Sequence, residues 1–326
     1  MQPTTLPRRA DAALRAFLIL TFGLPLLFTA CGGGGGGAPV QPPPASYDLV
    51  YDHEAANGTR SVWRLRLDGS PSEPVPGGEN AMRPHPRADG RSLVFSSQPP
   101  TAQDVSQLLL LENLTPPARR LSLDANVLER EIVYAPDGQR VAFVSRRDEP
   151  EGADVFTADL VDGELRNVRN LTPGATSGAS FDVTPAWSPD GGRIAFTSYR
   201  SGGVATLWTM RADGGDVQQI TVLPATGDVG DFFPVWSPDG SLLAFQRRNR
   251  EQVRIGLVPA TGGQPALFEF AGKAFTPAWS PDGRLLAFAG EVDGELDLYL
   301  RSADGGDTPL RFPHPGPDRN PAWIRR

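Results

Sequence analysis

Beyond residue 47 the apolar residues fall in short runs of four to six, each bounded by Gly, Pro, Asp or Ser, and long helical patterns are hard to find. Such runs read as β-strands. One pairing of runs returns along the chain: PAWSPDGGRIAF at 185–196, PVWSPDGSLLAF at 234–245 and PAWSPDGRLLAF at 277–288. In each, a run ending in Trp187, Trp236 or Trp279 meets Ser-Pro-Asp-Gly, and a second apolar run follows. Proline second and glycine fourth suit a type I turn, because proline presets φ and glycine accepts positive φ. The unit is therefore a β-hairpin. Looser copies at 83–95 and 131–143 carry Pro86 and Tyr134 in place of the tryptophan.

A third apolar run follows each hairpin (TLWTMRA at 206–212, VRIGLVPA at 253–260, LDLYLRSA at 296–303), and a short fourth, such as VQQIT at 217–221, completes the unit. Four antiparallel strands per repeat predict the blade of a β-propeller. The turn glycines Gly90, Gly138, Gly191, Gly240 and Gly283 stand 48, 53, 49 and 43 residues apart, the spacing of a copied supersecondary unit. The segment 47–76 supplies strands two to four of one more blade, with Trp63 in the place of Trp208, and lacks a first strand. That strand reappears at the other end as Asn320-Pro321-Ala322-Trp323. The expected fold is all-β: a six-bladed propeller of four-stranded antiparallel blades, closed by the C-terminal strand joining the N-terminal blade, so that no sheet edge is left open. The tryptophans at 187, 236, 279 and 323 are expected to pack between blades.

The first thirty residues follow another rule. Arg8, Arg9 and Arg15 precede an apolar stretch from Ala16 to Ala30, broken by Gly23 and Pro25. This predicts a secretory signal, too short for a comfortable membrane span. Its end, Leu27-Phe28-Thr29-Ala30-Cys31, resembles a bacterial lipobox, with Phe28 where leucine is usual. Cys31 is the one cysteine of the chain, so no disulfide competes for it. The resemblance implies cleavage before Cys31, acylation of that residue and anchoring in a membrane leaflet. Residues 32–46, GGGGGGAPVQPPPAS, read as a tether that cannot pack. Gly32 after the cysteine, by resemblance to enterobacterial lipoproteins, implies the periplasmic face of the outer membrane. The expected organisation is a lipoprotein signal peptide at 1–30, lipidated cysteine and tether at 31–46, and propeller at 47–326.

The tandem P-x-W-S-P-D-G-x-x-[IL]-A-F hairpins resemble the TolB-type six-bladed propeller repeat, over roughly 47–326. The resemblance implies a protein or peptide partner docking at the mouth of the central channel. The family's namesake carries an α/β domain before its propeller, whereas here only signal and tether are expected before Tyr47, and no hydrolase domain is expected after the closing strand.

Composition narrows the partners. Loss of residues 1–30 removes three arginines and one aspartate, moving the formal net charge from −7 to −9. An acidic body argues against nucleic acid and for basic or neutral partners. The histidines, His53, His85 and His314, lie in separate stretches without metal-ligand spacing, so no metal and no cofactor is expected. No G-x-S-x-G elbow occurs, and GATSGAS at 174–180 reads as a loop. One pattern stands out: an aspartate three residues ahead of proline in Asp182, Asp231 and Asp318, broken by Ala274 in the blade between. Inner strands start at one end of the channel, so these carboxylates either face one funnel that focuses the field on a basic peptide or cation, or each bonds its own turn. The charged stretches 146–149 and 247–251 read as solvated loop tips, or else as a docking site for an acidic partner. The sequence thus predicts a non-enzymatic, monomeric envelope scaffold that binds protein or peptide. The alternatives are a propeller lyase or hydrolase acting on an envelope or polysaccharide substrate, and a cation-binding structural module.

Overall fold

The computed structural model describes residues 45–98, 106–122, 124, 126–148, 151–174, 181–223 and 230–326. The signal segment, Cys31, the tether up to residue 44, and all but the first residue of GATSGAS lie outside the described residues. Among those described, no helix is long and apolar enough to cross a membrane.

Six four-stranded antiparallel sheets make up the body. Blade 1 comprises Tyr47–Glu54, Arg60–Leu65 and Glu73–Glu79, with Asp318–Arg325 as its innermost strand. Blades 2 to 6 begin with inner strands Ala81–Pro86, Glu129–Tyr134, Asp182–Trp187, Gly230–Trp236 and Lys273–Trp279. In blade 1 the closing strand pairs in register with the first strand of the body, Trp323 opposite Leu49 and Ala322 opposite Val50. The expected six-bladed closed ring is what forms.

The repeated turn is held by its own side chains. In each good copy the glycine N–H donates to the serine carbonyl at 2.9 Å, from Gly191 to Ser188, Gly240 to Ser237 and Gly283 to Ser280. The buried serine hydroxyls donate to the turn aspartates, Ser188 to Asp190 at 2.5 Å and Ser280 to Asp282 at 2.6 Å. They also accept the N–H that opens the next strand, from Arg193 at 2.8 Å and Leu285 at 2.9 Å. The motif is thus a closed hydrogen-bond circuit, which explains its recurrence without a ligand.

The core is divided among the blade interfaces. The aromatic residue of each second strand is buried (Tyr51, Phe95, Phe143, Phe196, Phe245 and Phe288), none more than 1% exposed. Each large side chain so buried contributes about 1.5–3 kcal/mol. Clusters form between successive blades, including Leu49, Tyr51, Ala287, Leu298 and Leu300 across blades 6 and 1. Trp187, Trp236 and Trp323 pack in or against these clusters. Trp236 Nε1 donates to the Ala186 carbonyl of the preceding blade at 3.1 Å, and Trp323 Nε1 to that of Ala278 at 3.2 Å.

Every inner strand carries a bulge at the same place. The residues there, Arg83, Glu131, Thr184, Phe233, Thr276 and Asn320, all have φ between 43° and 58°. Five of the six precede proline, a position that normally favours extended backbone. Left-handed backbone at such residues costs on the order of 1–3 kcal/mol. The bulge lifts the following residue out of the ladder, which lets proline occupy an inner strand.

Two expectations follow. A Cβ at Gly90 (φ +73) would stand 2.4 Å from the carbonyl oxygen of Arg325 in the closing strand, whereas one at Gly240 (φ +72) would meet only Pro189 at 3.7 Å. Gly90→Ala and Gly240→Ala share the left-handed penalty, and Gly90→Ala should lose about 1–3 kcal/mol more through overpacking. Urea denaturation checks this, and equal losses would contradict the closure contact. Thr276→Gly relieves a β-branched residue at φ +43 whose buried Oγ1 makes no hydrogen bond. After the roughly 0.5–1 kcal/mol entropic cost of glycine, a gain of about 1 kcal/mol is expected; a lowered urea midpoint would show that the bulge is not strained.

Candidate functional site

The inner strands wall a central cavity of about 420 Å³, lined from the bulged residues down to the first turn residues. Its walls are mainly prolines (Pro84, Pro185, Pro234, Pro277 and Pro321), small residues such as Ala186 and Ala278, and the tryptophans Trp187, Trp236, Trp279 and Trp323. Ile132 replaces proline in blade 3. The volume falls within the roughly 300–1,000 Å³ of ligand pockets.

The ionisable groups on this wall are engaged with one another. Arg83 Nη1 lies 2.5 Å from Glu131 Oε1, and the second oxygen of Glu131 accepts the Thr184 N–H at 2.6 Å. The Arg83 guanidinium also sits 4.7 Å from the ring centroid of Phe233. Blades 2 and 5 face each other across the ring, so this contact forms a bar over the channel. His85 Nδ1 accepts the Tyr134 N–H at 3.2 Å, and burial pushes its imidazole down to about 4, leaving it neutral near pH 7.

At three of the six bulges the backbone N–H of the bulged residue is received by the preceding blade, from the residue after its buried aromatic. Asp52 Oδ1 accepts from Arg83 at 3.0 Å, Ser96 Oγ from Glu131 at 2.9 Å and Gln246 Oε1 from Thr276 at 3.3 Å. In blade 3 that residue is Val144, and Glu131 serves Thr184 instead. Burial raises the Asp52 carboxyl, while Asn320 Nδ2, 2.7 Å away, opposes this.

Asp182, Asp231 and Asp318 each stand two residues before a bulged residue, at the start of an inner strand. All three are buried, at most 1% exposed. Arg200 Nη2 lies 2.6 Å from Asp182, and Arg247 grips both oxygens of Asp231 at 2.7 and 2.8 Å. A fourth carboxylate, Glu129, occupies the equivalent place in blade 3 and is paired with Arg147. Ala81 and Ala274 occupy it in blades 2 and 6. One arginine of each charged stretch is therefore turned inward onto a carboxylate. Sequence reasoning missed Glu129 because Ile132 breaks the D-x-x-P pattern; alignment on the hairpin turn instead of the proline would have found it.

Asp318 differs from the others. Its Oδ1 lies 2.7 Å from His53 Nδ1 and 3.5 Å from His314 Nδ1, and the two imidazole nitrogens are 3.2 Å apart. Burial, with Asp297 and Asp52 nearby, pushes Asp318 up to about 8. Burial also lowers both histidines. The His314 backbone N–H donates to Asp297 Oδ1 at 3.1 Å, and Trp63 flanks both rings at centroid distances of 5.0 and 4.9 Å. Two histidines read from the sequence as isolated thus meet, because ring closure brings residues 261 and 265 positions apart together. The cross-strand register is the signal that could have found them: His53 faces Asp318 as Arg247 faces Asp231.

Comparison with known proteins places this architecture. A stretch of 91 residues is 35% identical to the "Uncharacterized peptidase YuxL" of Bacillus subtilis, covering 28% of this chain and 13% of that protein. The chain therefore matches a small part of that relative's length. TolB from Acinetobacter baumannii superposes with a TM-score of 0.68 at 18% identity, over 86% of this chain and 67% of that one. The same fold forms part of a puromycin-hydrolyzing peptidase of Mycobacterium tuberculosis, with a TM-score of 0.53 at 21% identity, over 86% and 49% of the two chains. These likenesses establish a propeller that occurs in TolB and in peptidases alike. Residues 68–267 match the family described as the TolB beta propeller domain, and with its six closed blades the chain belongs to that family.

Proposed function

We propose that this protein is a non-enzymatic binding scaffold of the bacterial cell envelope, anchored through acylated Cys31, whose channel receives an extended apolar segment of a protein or peptide partner. The observation that carries the reading is the chemistry of the cavity wall. Prolines and tryptophans give a rigid, largely apolar surface, which suits a segment whose backbone is already extended. Arg83, Glu131 and His85 are held in contacts with the fold itself, an arrangement that favours shape recognition over acid–base chemistry. In this reading Asp182 and Asp231 serve the mouth indirectly, by fixing Arg200 and Arg247 at the start of the inner strands. Family membership supports an envelope location, as do the signal and lipobox-like residues.

Selection from a displayed random-peptide library tests the channel. Apolar, proline-containing peptides should be enriched, and Ala278→Trp, a large side chain at a residue of the cavity wall, should weaken them by roughly tenfold or more, about 1.4 kcal/mol. Unchanged affinity in a folded Ala278→Trp protein, or peptide cleavage detected by mass spectrometry, would overturn the proposal. The anchor has its own check. Mature protein from bacteria should begin at Cys31 with acyl mass added and partition into detergent, whereas Cys31→Ser should remain unacylated; an unmodified Cys31 in the parent would refute anchoring.

A further inference from the structure

The position two residues ahead of each inner-strand bulge allows a comparison within one molecule. Glu129, Asp182 and Asp231 each meet an arginine there, a fixed positive charge that compensates a buried carboxylate. Asp318 occupies the same position with side-chain contacts to two imidazole nitrogens, His53 from the first strand of the body and His314 from the segment leading into the last. Neither imidazole supplies a permanent charge.

We propose that His53 Nδ1, His314 Nδ1 and Asp318 Oδ1 form a binding site for one divalent first-row transition cation, with zinc the best match to this donor set. The three atoms make a triangle with sides of 2.7, 3.2 and 3.5 Å. Ligands about 2.0–2.1 Å from a tetrahedral zinc stand roughly 3.3 Å apart, so one ion fits against all three with sub-ångström adjustment. The protonation states allow it: in the Nε2–H tautomers each imidazole presents an Nδ1 lone pair beside Asp318 Oδ1, and an ion bound there takes the place of the proton between His53 and Asp318. A single cation accepts a lone pair from each of the three atoms. Two nitrogens and one oxygen suit zinc, cobalt or nickel better than calcium or magnesium, which take oxygen ligands.

The surroundings support the assignment. Asp297 ties down the backbone of His314, which restricts the ligand's position. The His314 side chain is 20% exposed, giving an ion a route from solvent and leaving a fourth coordination position to water. The consequence is architectural. Ligands from the N-terminal and C-terminal strands of blade 1 converge in the closed ring alone, so the ion would act as a clasp on the closure. This inference stands apart from peptide binding in the channel, since none of the three ligands lines the cavity.

The test uses the full chain, freed of metal with a chelator and titrated with Co²⁺ and Zn²⁺. One equivalent of Co²⁺ should give visible d–d absorption of tetrahedral type and quench Trp63, whose ring lies 5.0 and 4.9 Å from the two imidazoles. Zn²⁺ should displace it and raise the thermal midpoint. His314→Gln, at the more exposed ligand, should weaken Zn²⁺ by roughly 100-fold or more and abolish the thermal shift. His85→Gln, a change at the channel wall, should leave both intact. Absence of one-equivalent binding, or binding that survives in folded His314→Gln and His53→Gln proteins, would overturn the proposal.

Discussion

The pairing of Asp318–Arg325 with Tyr47–Glu54 is the contact on which the remaining structure depends. A strand presents successive side chains to opposite faces, and here each face serves a different seam. Ile324 enters the cluster between blades 1 and 2, and Trp323 packs with the cluster between blades 6 and 1. Removing this strand would open two interfaces at once and leave the first body strand with an exposed edge. Closure over so long a chain carries an entropic cost that grows only slowly with length, so two apolar seams can offset it. The left-handed Gly90 turn of blade 2 abuts the same strand, which couples closure to the ring of turns as well.

Once the ring is closed, six equivalent positions can be compared, and the departures from equivalence become informative. The bulged residues share one backbone conformation but differ in side chain, from Thr184 to Phe233 and Arg83. The backbone requirement is thus architectural, and the chemistry displayed on it is free to vary. The acceptors for the bulge amides behave likewise: Asp52, Ser96 and Gln246 do one task with different groups. Where Val144 cannot accept, the adjacent bulge residue Glu131 takes over. Such substitution of one donor–acceptor solution for another is expected where a buried N–H must be satisfied and its partner's identity is secondary.

These distinctions set the limits of the sequence reading. The Ser-Pro-Asp-Gly turn was legible because its hydrogen bonds join residues within five positions of each other, as in Ser188 with Asp190 and Arg193. The ring could be inferred because the missing strand of blade 1 reappears as Asn320–Trp323. The places of Asp182, Asp231 and Asp318 at the head of inner strands could also be inferred. Their burial could not, because the compensating arginines lie at different offsets: Arg247 directly across the strand pair, Arg200 two residues beyond Ser198, which faces Asp182. The meeting of His53 with His314 was hidden for a stronger reason. No local pattern links them, and only the closure register and the path of the segment before the last strand bring them together.

The two candidate sites differ in a way that bears on how each would recognise its ligand. On the channel wall, Arg83, Glu131 and His85 are partnered within the fold, so selection there falls largely to shape and apolar contact, which tolerates a family of related occupants. At the closure, two imidazole nitrogens and a carboxylate oxygen lie within 3.5 Å of one another, and a buried carboxylate with no arginine gripping it, as Arg247 grips Asp231, is costly unless it is neutralised. Proton uptake by Asp318 is one solution, in keeping with its raised affinity for a proton. A divalent ion is the other, and it replaces the proton while using both imidazoles. The two solutions compete for the same oxygen, so the proposed clasp should tighten as pH rises and protons leave the site. A guanidinium, as at Asp231, would have fixed the charge permanently. Histidine in its place makes the compensation at the closure exchangeable.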